Sequence, residues 1–179
     1  MADHKQTSRE KILAAASELA RDTGPGHLSL DAVASRAGVS KGGLLYNFPT
    51  KAKLMQALVE EHIDKFEADL DAAANPGASG GDHLLRAYLQ LSRQECCDTH
   101  PSAAGLLAAM AEDPDFLLPI KVFKRKLLDR LKGETKDVVG LLTAFLVIEG
   151  LRSLKLFDLD MLTDAERDLV FQSLLSATS

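Results

Sequence analysis

A short segment near the start of the sequence combines residue types that contact phosphate groups and base edges. Lys41 is followed by two glycines, whose backbone lacks a Cβ atom and can approach another molecule closely. Tyr46 and Asn47 follow a few residues later. A tyrosine hydroxyl can reach a phosphate, and an asparagine amide can bond a phosphate or a base edge. This spacing favours a nucleic-acid contact, and the alternative is that the glycines only make room for a neighbouring helix.

Lys51 places a cation at the amino end of a predicted helix, where the helix dipole is already positive. A bound phosphate would remove this penalty, because the ammonium group and the free N–H groups of the first turn would share one anion. A lysine that is only solvated is the alternative. No acidic residue occurs in residues 32–59, which also contain Arg36, Lys41 and Lys53, although the whole chain carries a net charge of −5. This basic island indicates either a phosphate-binding surface or a randomly charged one.

Two short predicted helices position these residues. Ser29 can cap the first helix through its side-chain oxygen, and Gly38 ends that helix. Ser40 can cap the second helix only two residues later. Two short helices joined by a tight glycine-containing turn, with longer helices before and after, make a helix-turn-helix.

The longer helices have their own start signals. Thr7 and Glu10 have the spacing of a capping box, and residues 24–26 (Gly-Pro-Gly) end the helix that it starts. Another helix is predicted to begin near Thr50.

The second short helix should be held by its apolar side. Leu44 and Phe48 are four residues apart, so they face the same way, and we expect them to fix this helix onto Ile12, Leu19 and Val33.

Residues 9–58 resemble the DNA-binding domain of the TetR family of transcriptional repressors. The matching positions are Ile12, Leu13, Ala15, Ala16 and Leu19, then Gly24, Leu28–Leu30, Val33 and Ala34, and finally residues 37–51, AGVSKGGLLYNFPTK. The resemblance implies a protein that binds double-stranded DNA and regulates transcription.

The resemblance also implies which side chains meet the DNA. The predicted DNA-contacting residues are Ser29, Ser40, Lys41, Gly42, Gly43, Tyr46, Asn47 and Lys51. The sequence departs from the family at two positions, since Leu45 stands where many members have an aromatic residue and Asn47 where many have a histidine. We expect the first departure to put one phosphate contact in doubt and the second to change the base preference.

The rest of the chain is predicted to be helical as well. Residues 76–81 (PGASGG) form the clearest linker, and helices are expected over residues 82–99, 102–111, 120–132, 138–157 and from Thr163 onward. The first half of 138–157 is apolar around most of its circumference, so this helix must be buried by two neighbours. The predicted fold class is all-α. Residues 1–50 form a three-helix helix-turn-helix domain and 51–179 a ligand-binding and dimerisation domain, with 51–75 as the connecting helix.

The resemblance implies two partners besides DNA. The last two major helices would pair with their copies in a homodimer, which would place two recognition helices ~34 Å apart on a near-palindromic operator. A small-molecule effector would bind within the helical regulatory domain and release the DNA. Candidate effector contacts, for each of which plain core packing is the alternative, are Leu106, Leu107, Met110, Phe123, Phe145 and Glu149.

Other classes of protein are disfavoured by composition and motifs. Apolar residues make up 46 % of the chain and charged residues 26 %, as in globular rather than disordered proteins. No apolar stretch is long enough to span a bilayer, no signal peptide follows Met1, and adjacent Cys96 and Cys97 suit a reducing compartment, so we predict a cytoplasmic protein without membrane contact. These cysteines with His100 invite a redox or metal hypothesis, but inert cysteines are favoured. We predict no cofactor, no metal and no enzyme activity; a small helical enzyme or an adaptor without DNA binding are the alternatives.

Overall fold

The computed structural model describes residues 7–23, 28–74, 82–97 and 109–178. Helices dominate these ranges, and no strand occurs within them. The helices are α1 (Ser8–Thr23), α2 (Leu30–Ala37), α3 (Lys41–Asn47), α4 (Lys51–Ala73), α5 (His83–Cys97), α6 (Leu118–Glu134), α7 (Val138–Leu156) and α8 (Asp164–Ser176). The predicted all-α fold is confirmed. The predicted loops at 24–26 and 76–81 lie outside the described residues.

The described chain forms two compact units. The first contains the residues up to His62 together with 109–120, and the second contains Ile63 to Cys97 and Lys121 to Thr178. Helix α4 therefore contributes its first half to one unit and its second half to the other. The division into domains at residue 50 stays a prediction. The compact units themselves are discontinuous in sequence.

One apolar core holds α1, α2, α3 and the start of α4 together in the first unit. Ile12, Val33 and Leu44 are fully buried in it, and Phe48 is 3 % exposed. Leu19 packs against the same cluster from its edge. The predicted attachment of α3 through Leu44 and Phe48 is therefore confirmed.

The predicted capping box of α1 forms, and a second capping box starts α8. The backbone N–H of Thr7 donates to Glu10 Oε2 at 2.8 Å, and the N–H of Glu10 donates to Thr7 Oγ1 at 3.2 Å. Thr163 and Glu166 repeat the arrangement with distances of 2.8 and 3.3 Å. The backbone hydrogen bond from Thr163 also holds the pKa of Glu166 below its usual value. Local signals thus set where α1 and α8 begin.

The segment after residue 109 differs from its prediction. Of the helix expected over 102–111, only residues 109 onward are described, and 109–112 are helical. Asp113 and Pro114 have the residue types of an N-cap and a first helical position, but turns follow and α6 begins only at Leu118. Asp113 accepts a hydrogen bond from the N–H of Asp115 at 3.1 Å, and its carboxylate also pairs with Lys53 at 2.6 Å. These bonds hold a turn where the proline suggested a helix.

A second small core fixes this segment onto α4 within the first unit. Phe116 is fully buried against Ala52, Met55 and Ala109. The Lys53 ammonium group holds the pKa of Asp113 below its usual value through their hydrogen bond.

The second unit packs α4–α8 around one larger core. Tyr88, Ile148 and Phe171 are at most 1 % exposed in it. Within the single chain, however, α7 buries only one face. Val139 is 75 % exposed and Leu146, seven residues later on the same side, is 68 % exposed.

Leu44 should be the most sensitive residue of α3. Leu44→Ala is expected to lower the free energy of unfolding by about 2–5 kcal/mol, because the lost side chain is fully buried. Leu45→Ala is the matched control on the same helix; Leu45 is 36 % exposed, so its truncation should cost less than about 1 kcal/mol. Urea denaturation followed by circular dichroism measures both. Equal losses would contradict the anchoring of α3 by Leu44.

Candidate nucleic-acid interface

The turn between α2 and α3 depends on one glycine. Gly38 has φ 65° and ψ 33°, in the left-handed region that side chains with a Cβ atom rarely adopt. Its N–H donates to Ser35 O at 3.2 Å, and the N–H of Val39 donates to Ala34 O at 3.0 Å. These bonds end α2 within one residue, so α3 can start at Lys41.

The two predicted serines act as helix caps. Ser29 Oγ accepts from the N–H of Ala32 at 3.1 Å, and Ser40 Oγ accepts from the N–H of Gly43 at 3.0 Å. Both serines are exposed. Each hydroxyl keeps its proton as a donor, so capping and a phosphate contact are compatible. Their contact with DNA stays a prediction.

The two glycines of α3 differ in their surroundings. A Cβ atom at Gly42 would meet no atom within 4 Å, whereas one at Gly43 would lie 3.3 Å from Ser40 Oγ. Packing against a neighbouring helix therefore explains neither glycine. Gly43 leaves room for the cap, and Gly42 leaves an open stretch of backbone on the surface.

The end of α3 exposes one aromatic ring and turns an amide inward. Tyr46 is 89 % exposed, the highest value among the large apolar or aromatic side chains of the described residues. Asn47 is half-buried, and its Nδ2 donates to Gly43 O at 2.8 Å. This bond engages one N–H of Asn47 within its own helix and leaves its Oδ1 as an acceptor. Leu45 is 36 % exposed beside them.

The basic island has acidic partners that the sequence did not reveal. Its cations pair with carboxylates outside residues 32–59: Lys41 with Asp31 at 2.9 Å, Arg36 with Glu18 and Asp22 at 3.4 Å each, and Lys53 with Asp113 at 2.6 Å. Both members of the Lys41 pair are more than half exposed. Exposed pairs of this kind are weak in water, so an approaching phosphate can replace the carboxylate.

Two further cations lie at the ends of this surface. Lys51 is the first residue of α4 and is half-buried, and Thr50 Oγ1 accepts from the N–H of Lys53 at 3.1 Å in the same turn. Arg9, in the first turn of α1, lies over the Phe48 ring with its Cζ atom 5.5 Å from the centroid. Sequence reasoning missed Arg9, because this contact joins the start of α1 to the end of α3 and no local spacing reveals it.

The predicted effector residues are distributed over both compact units and the part of the chain outside the described residues. Leu106 and Leu107 lie outside the described residues. Met110 belongs to the first unit and is 36 % exposed. Phe123, Phe145 and Glu149 belong to the second unit, where both rings contact its main core. Glu149 forms ion pairs with Lys124 and Arg152.

The described ranges contain neither a cluster of metal-ligating side chains nor a membrane-spanning helix. Among those residues, no three His, Cys, Asp or Glu side chains come together in a way that could hold a metal ion. No helix there has the length and apolarity needed to cross a membrane. The side chains of Cys96 and Cys97, and all of His100, lie outside the described part, so their predicted inertness stays a prediction, with redox or metal chemistry as the alternatives.

The helical architecture, with a helix-turn-helix near its start, defines the class of helix-turn-helix transcriptional regulators. Two family models agree with it: "Bacterial regulatory proteins, tetR family" matches residues 12–58, and "Tetracyclin repressor-like, C-terminal domain" matches residues 82–179. The chain belongs to the TetR family of transcriptional regulators. Members of this family are DNA-binding proteins without enzyme activity. No curated protein sequence matches the chain.

Solved structures show the same fold along the whole chain. SCO4454, a TetR-family transcriptional regulator from Streptomyces coelicolor, is 19 % identical with a TM-score of 0.68, over 96 % of this chain and 92 % of that one. A TetR transcriptional regulator from Legionella pneumophila is 19 % identical with a TM-score of 0.67, over 98 % and 100 %. The multidrug binding protein EbrR, in complex with imidazole, is 19 % identical with a TM-score of 0.66, over 97 % and 96 %.

Gly42→Ala should separate stability from DNA binding. Stability should hold or rise by up to about 1 kcal/mol, because the new Cβ atom has open space and alanine favours a helix. Affinity for DNA should fall about tenfold, or 1.4 kcal/mol, because the Cβ atom would keep the DNA backbone away. Thermal unfolding and fluorescence anisotropy with labelled duplex measure the two effects.

Gly43→Ala is the matched comparison, and it should lower stability through the contact with Ser40. Unchanged DNA affinity in a folded Gly42→Ala variant would contradict the close approach at Gly42.

Proposed function

We propose that this TetR-family regulator is a repressor that binds a near-palindromic operator as a homodimer and releases it when a small-molecule effector binds. The observation that carries the proposal is the two-sided character of α3. Leu44 and Phe48 fix one side in the core, while the other side presents Tyr46 and the open backbone of Gly42 to solvent. A helix that is anchored in the core on one side and exposed to solvent on the other is suited to insertion into a major groove.

The contacts divide into positioning and reading. Tyr46, Lys41 and Lys51 are suited to phosphate groups, since a phenol hydroxyl and two ammonium groups donate without base preference. Lys41 would exchange the exposed carboxylate of Asp31 for a phosphate. Asn47 is the candidate for reading a base, through its Oδ1 or after giving up its bond to Gly43 O. The phosphate contacts would fix the position of α3 along the DNA. Discrimination between base sequences would then depend on few side chains.

A second copy of the chain accounts for the apolar surface on the last two helices. Val139 and Leu146 on α7 and Leu169 on α8 are each more than 60 % exposed. Burying such a side chain fully is worth about 1.5–3 kcal/mol, and a two-fold axis would bury each of them twice. The same symmetry would present two α3 helices to one DNA duplex, about one turn apart.

The effector would act through α4. This helix is continuous from Lys51 to Ala73 and contributes to both compact units. A ligand that favours the state unable to bind DNA needs a coupling free energy of about 1–3 kcal/mol. The multidrug binding protein EbrR, a structure of the same fold, was solved with imidazole and with malachite green, which supports a small-molecule effector here. The reducing cytoplasm, where DNA and metabolites meet, is the proposed compartment.

DNA binding is tested on duplexes from the promoters next to the gene, with random duplex of equal length as the reference. We expect specific binding that weakens steeply with salt, because Lys41 and Lys51 would release counterions from phosphates. Lys51→Ala should weaken binding to specific and random duplexes by a similar factor and flatten the salt dependence by about one unit of slope. Asn47→Ala should change the ranking of base substitutions within the operator instead.

Lys121→Ala is the control, because this exposed lysine lies on α6 and belongs to a different compact unit from α3. Promoter duplexes that bind no better than random DNA would reject the proposed function, and an unaltered affinity in Lys51→Ala would reject the phosphate contact. For repression itself, a promoter–reporter fusion should be more active when the gene is deleted, and lower activity would identify an activator.

A further inference from the structure

One arginine in the second unit occupies a cage made of rings and carboxylates. The Cζ atom of Arg152 lies 5.5 Å from the Phe66 ring centroid and 5.7 Å from that of Tyr88. Its guanidinium group also bonds Glu95 at 2.6 Å and Glu149 at 3.2 Å. We call the four surrounding residues, Phe66, Tyr88, Glu95 and Glu149, the Arg152 cage. Aromatic faces and carboxylates are both partners that favour a cation.

The carboxylates of the cage are largely removed from water. The side chains of Glu95, Glu149 and Arg152 are only 19 %, 18 % and 21 % exposed. Ser92 is fully buried beside them, and its Oγ accepts a further bond from Arg152 at 3.1 Å. A buried carboxylate that loses its cation is strongly destabilised. The cage therefore demands a positive group, whether it comes from Arg152 or from outside.

Aromatic side chains extend the cage into a wider apolar wall. Phe145 stacks on Tyr88 with centroids 5.8 Å apart, and Phe123 meets Phe66 edge to face at 5.9 Å. The chain as a whole is only 5 % aromatic. The low aromatic content of the whole chain does not reveal this cluster, because single rings from α4, α5, α6 and α7 converge beside Arg152.

The hydroxyl group of Tyr88 points to an absent partner. Its oxygen is buried and forms no hydrogen bond of good geometry among the described residues; the nearby Ser92 hydroxyl accepts from Arg152 instead. Burial raises the pKa of Tyr88 above its usual value, so the phenol stays neutral, and its oxygen can both donate and accept a hydrogen bond. A buried hydroxyl without a partner costs free energy that a ligand N–H group would recover.

We propose, building on the proposed effector response, that the Arg152 cage binds organic cations that carry N–H donors and a flat apolar group, such as amidinium compounds. The ligand replaces the Arg152 guanidinium between Phe66 and Tyr88, pairs with Glu95 and Glu149, and donates to Tyr88 Oη. Because Phe66 belongs to α4, this exchange replaces a contact between α7 and α4 by a contact with the ligand. Arg152 is thus a built-in competitor of the effector.

The charges of the cage disfavour an anionic ligand. An anion bound to Arg152 would have to lie beside the carboxylates of Glu95 and Glu149, both of which already pair with that guanidinium. Lys124 pairs with Glu149 as well. Arg152 and Lys124 together balance the two carboxylates, so an added anion would leave excess negative charge, whereas a cation that displaces Arg152 keeps the balance.

The test uses three probes of one shape: benzamidinium (cation), benzamide (neutral) and benzoate (anion). Isothermal titration calorimetry on the full-length protein without DNA should give a dissociation constant for benzamidinium at least about tenfold lower than for benzamide, with benzoate weakest. Absent or equal binding of the three probes, or a preference for benzoate, would overturn the proposal.

Variants locate the binding in the cage. Glu95→Gln should weaken benzamidinium about tenfold and leave benzamide unchanged. Asp168→Asn is the matched control, because it removes a carboxylate from the exposed Arg93–Asp168 pair at 2.8 Å without touching the cage. Arg152→Gln, if folded, should strengthen benzamidinium binding by removing the competitor. Equal effects of Glu95→Gln and Asp168→Asn would overturn the proposal, and this comparison does not depend on Arg152→Gln folding.

The effect on DNA is measured separately, by anisotropy with labelled operator. Benzamidinium should weaken operator binding in the wild-type protein more than in Glu95→Gln. Cation binding in the cage without any change in operator affinity would support the site and count against the proposed effector response. Operator binding without selective cation binding would overturn the cation site and leave the proposed DNA binding intact.

Discussion

The attachment of α3 to the first core is the constraint on which the DNA-binding surface depends. Leu44 and Phe48 bury one side of a helix of only seven residues, which could not persist in water alone. The left-handed turn at Gly38 and the cap at Ser40 fix where this helix begins. With its core side fixed in this way, α3 can leave Tyr46 in solvent and Gly42 uncovered without losing its place.

Local chemistry explains why much of this unit could be predicted from the sequence. Caps, capping boxes and the apolar spacing of α3 depend on residues within four positions of each other, so the sequence shows them directly. The ion pairs of Lys41, Arg36 and Lys53 were not predicted, because most of their partners are separated from them by a turn or by many residues. The expectation of a helix directly after Asp113 was wrong for the same reason, since Lys53 on α4 helps to hold a turn there.

In the second unit, too, contacts between distant parts of the sequence could not be predicted, and the surroundings of Arg152 are the main example. Glu149 and Arg152 stand out in sequence as charges within an apolar helix, and Glu149 was predicted to contact an effector. The carboxylate of Glu95 and the rings of Phe66 and Tyr88 come from other helices, and only the fold brings them to Arg152. This cluster of charges among rings is the part of the core that we propose binds an effector. The effector contacts of Leu106 and Leu107 remain predictions, because both residues lie outside the described ranges.

We propose that two copies of α3, each held by its core, bind one duplex together in a dimer joined through α7 and α8. Hydroxyl-radical footprinting on the best-binding promoter fragment tests it most directly. We expect two protected regions on one face of the DNA with centres about 10 base pairs apart, and we expect Leu146→Glu, which charges the exposed side of α7, to remove both together. A single protected region, or two that persist in Leu146→Glu, would contradict the account.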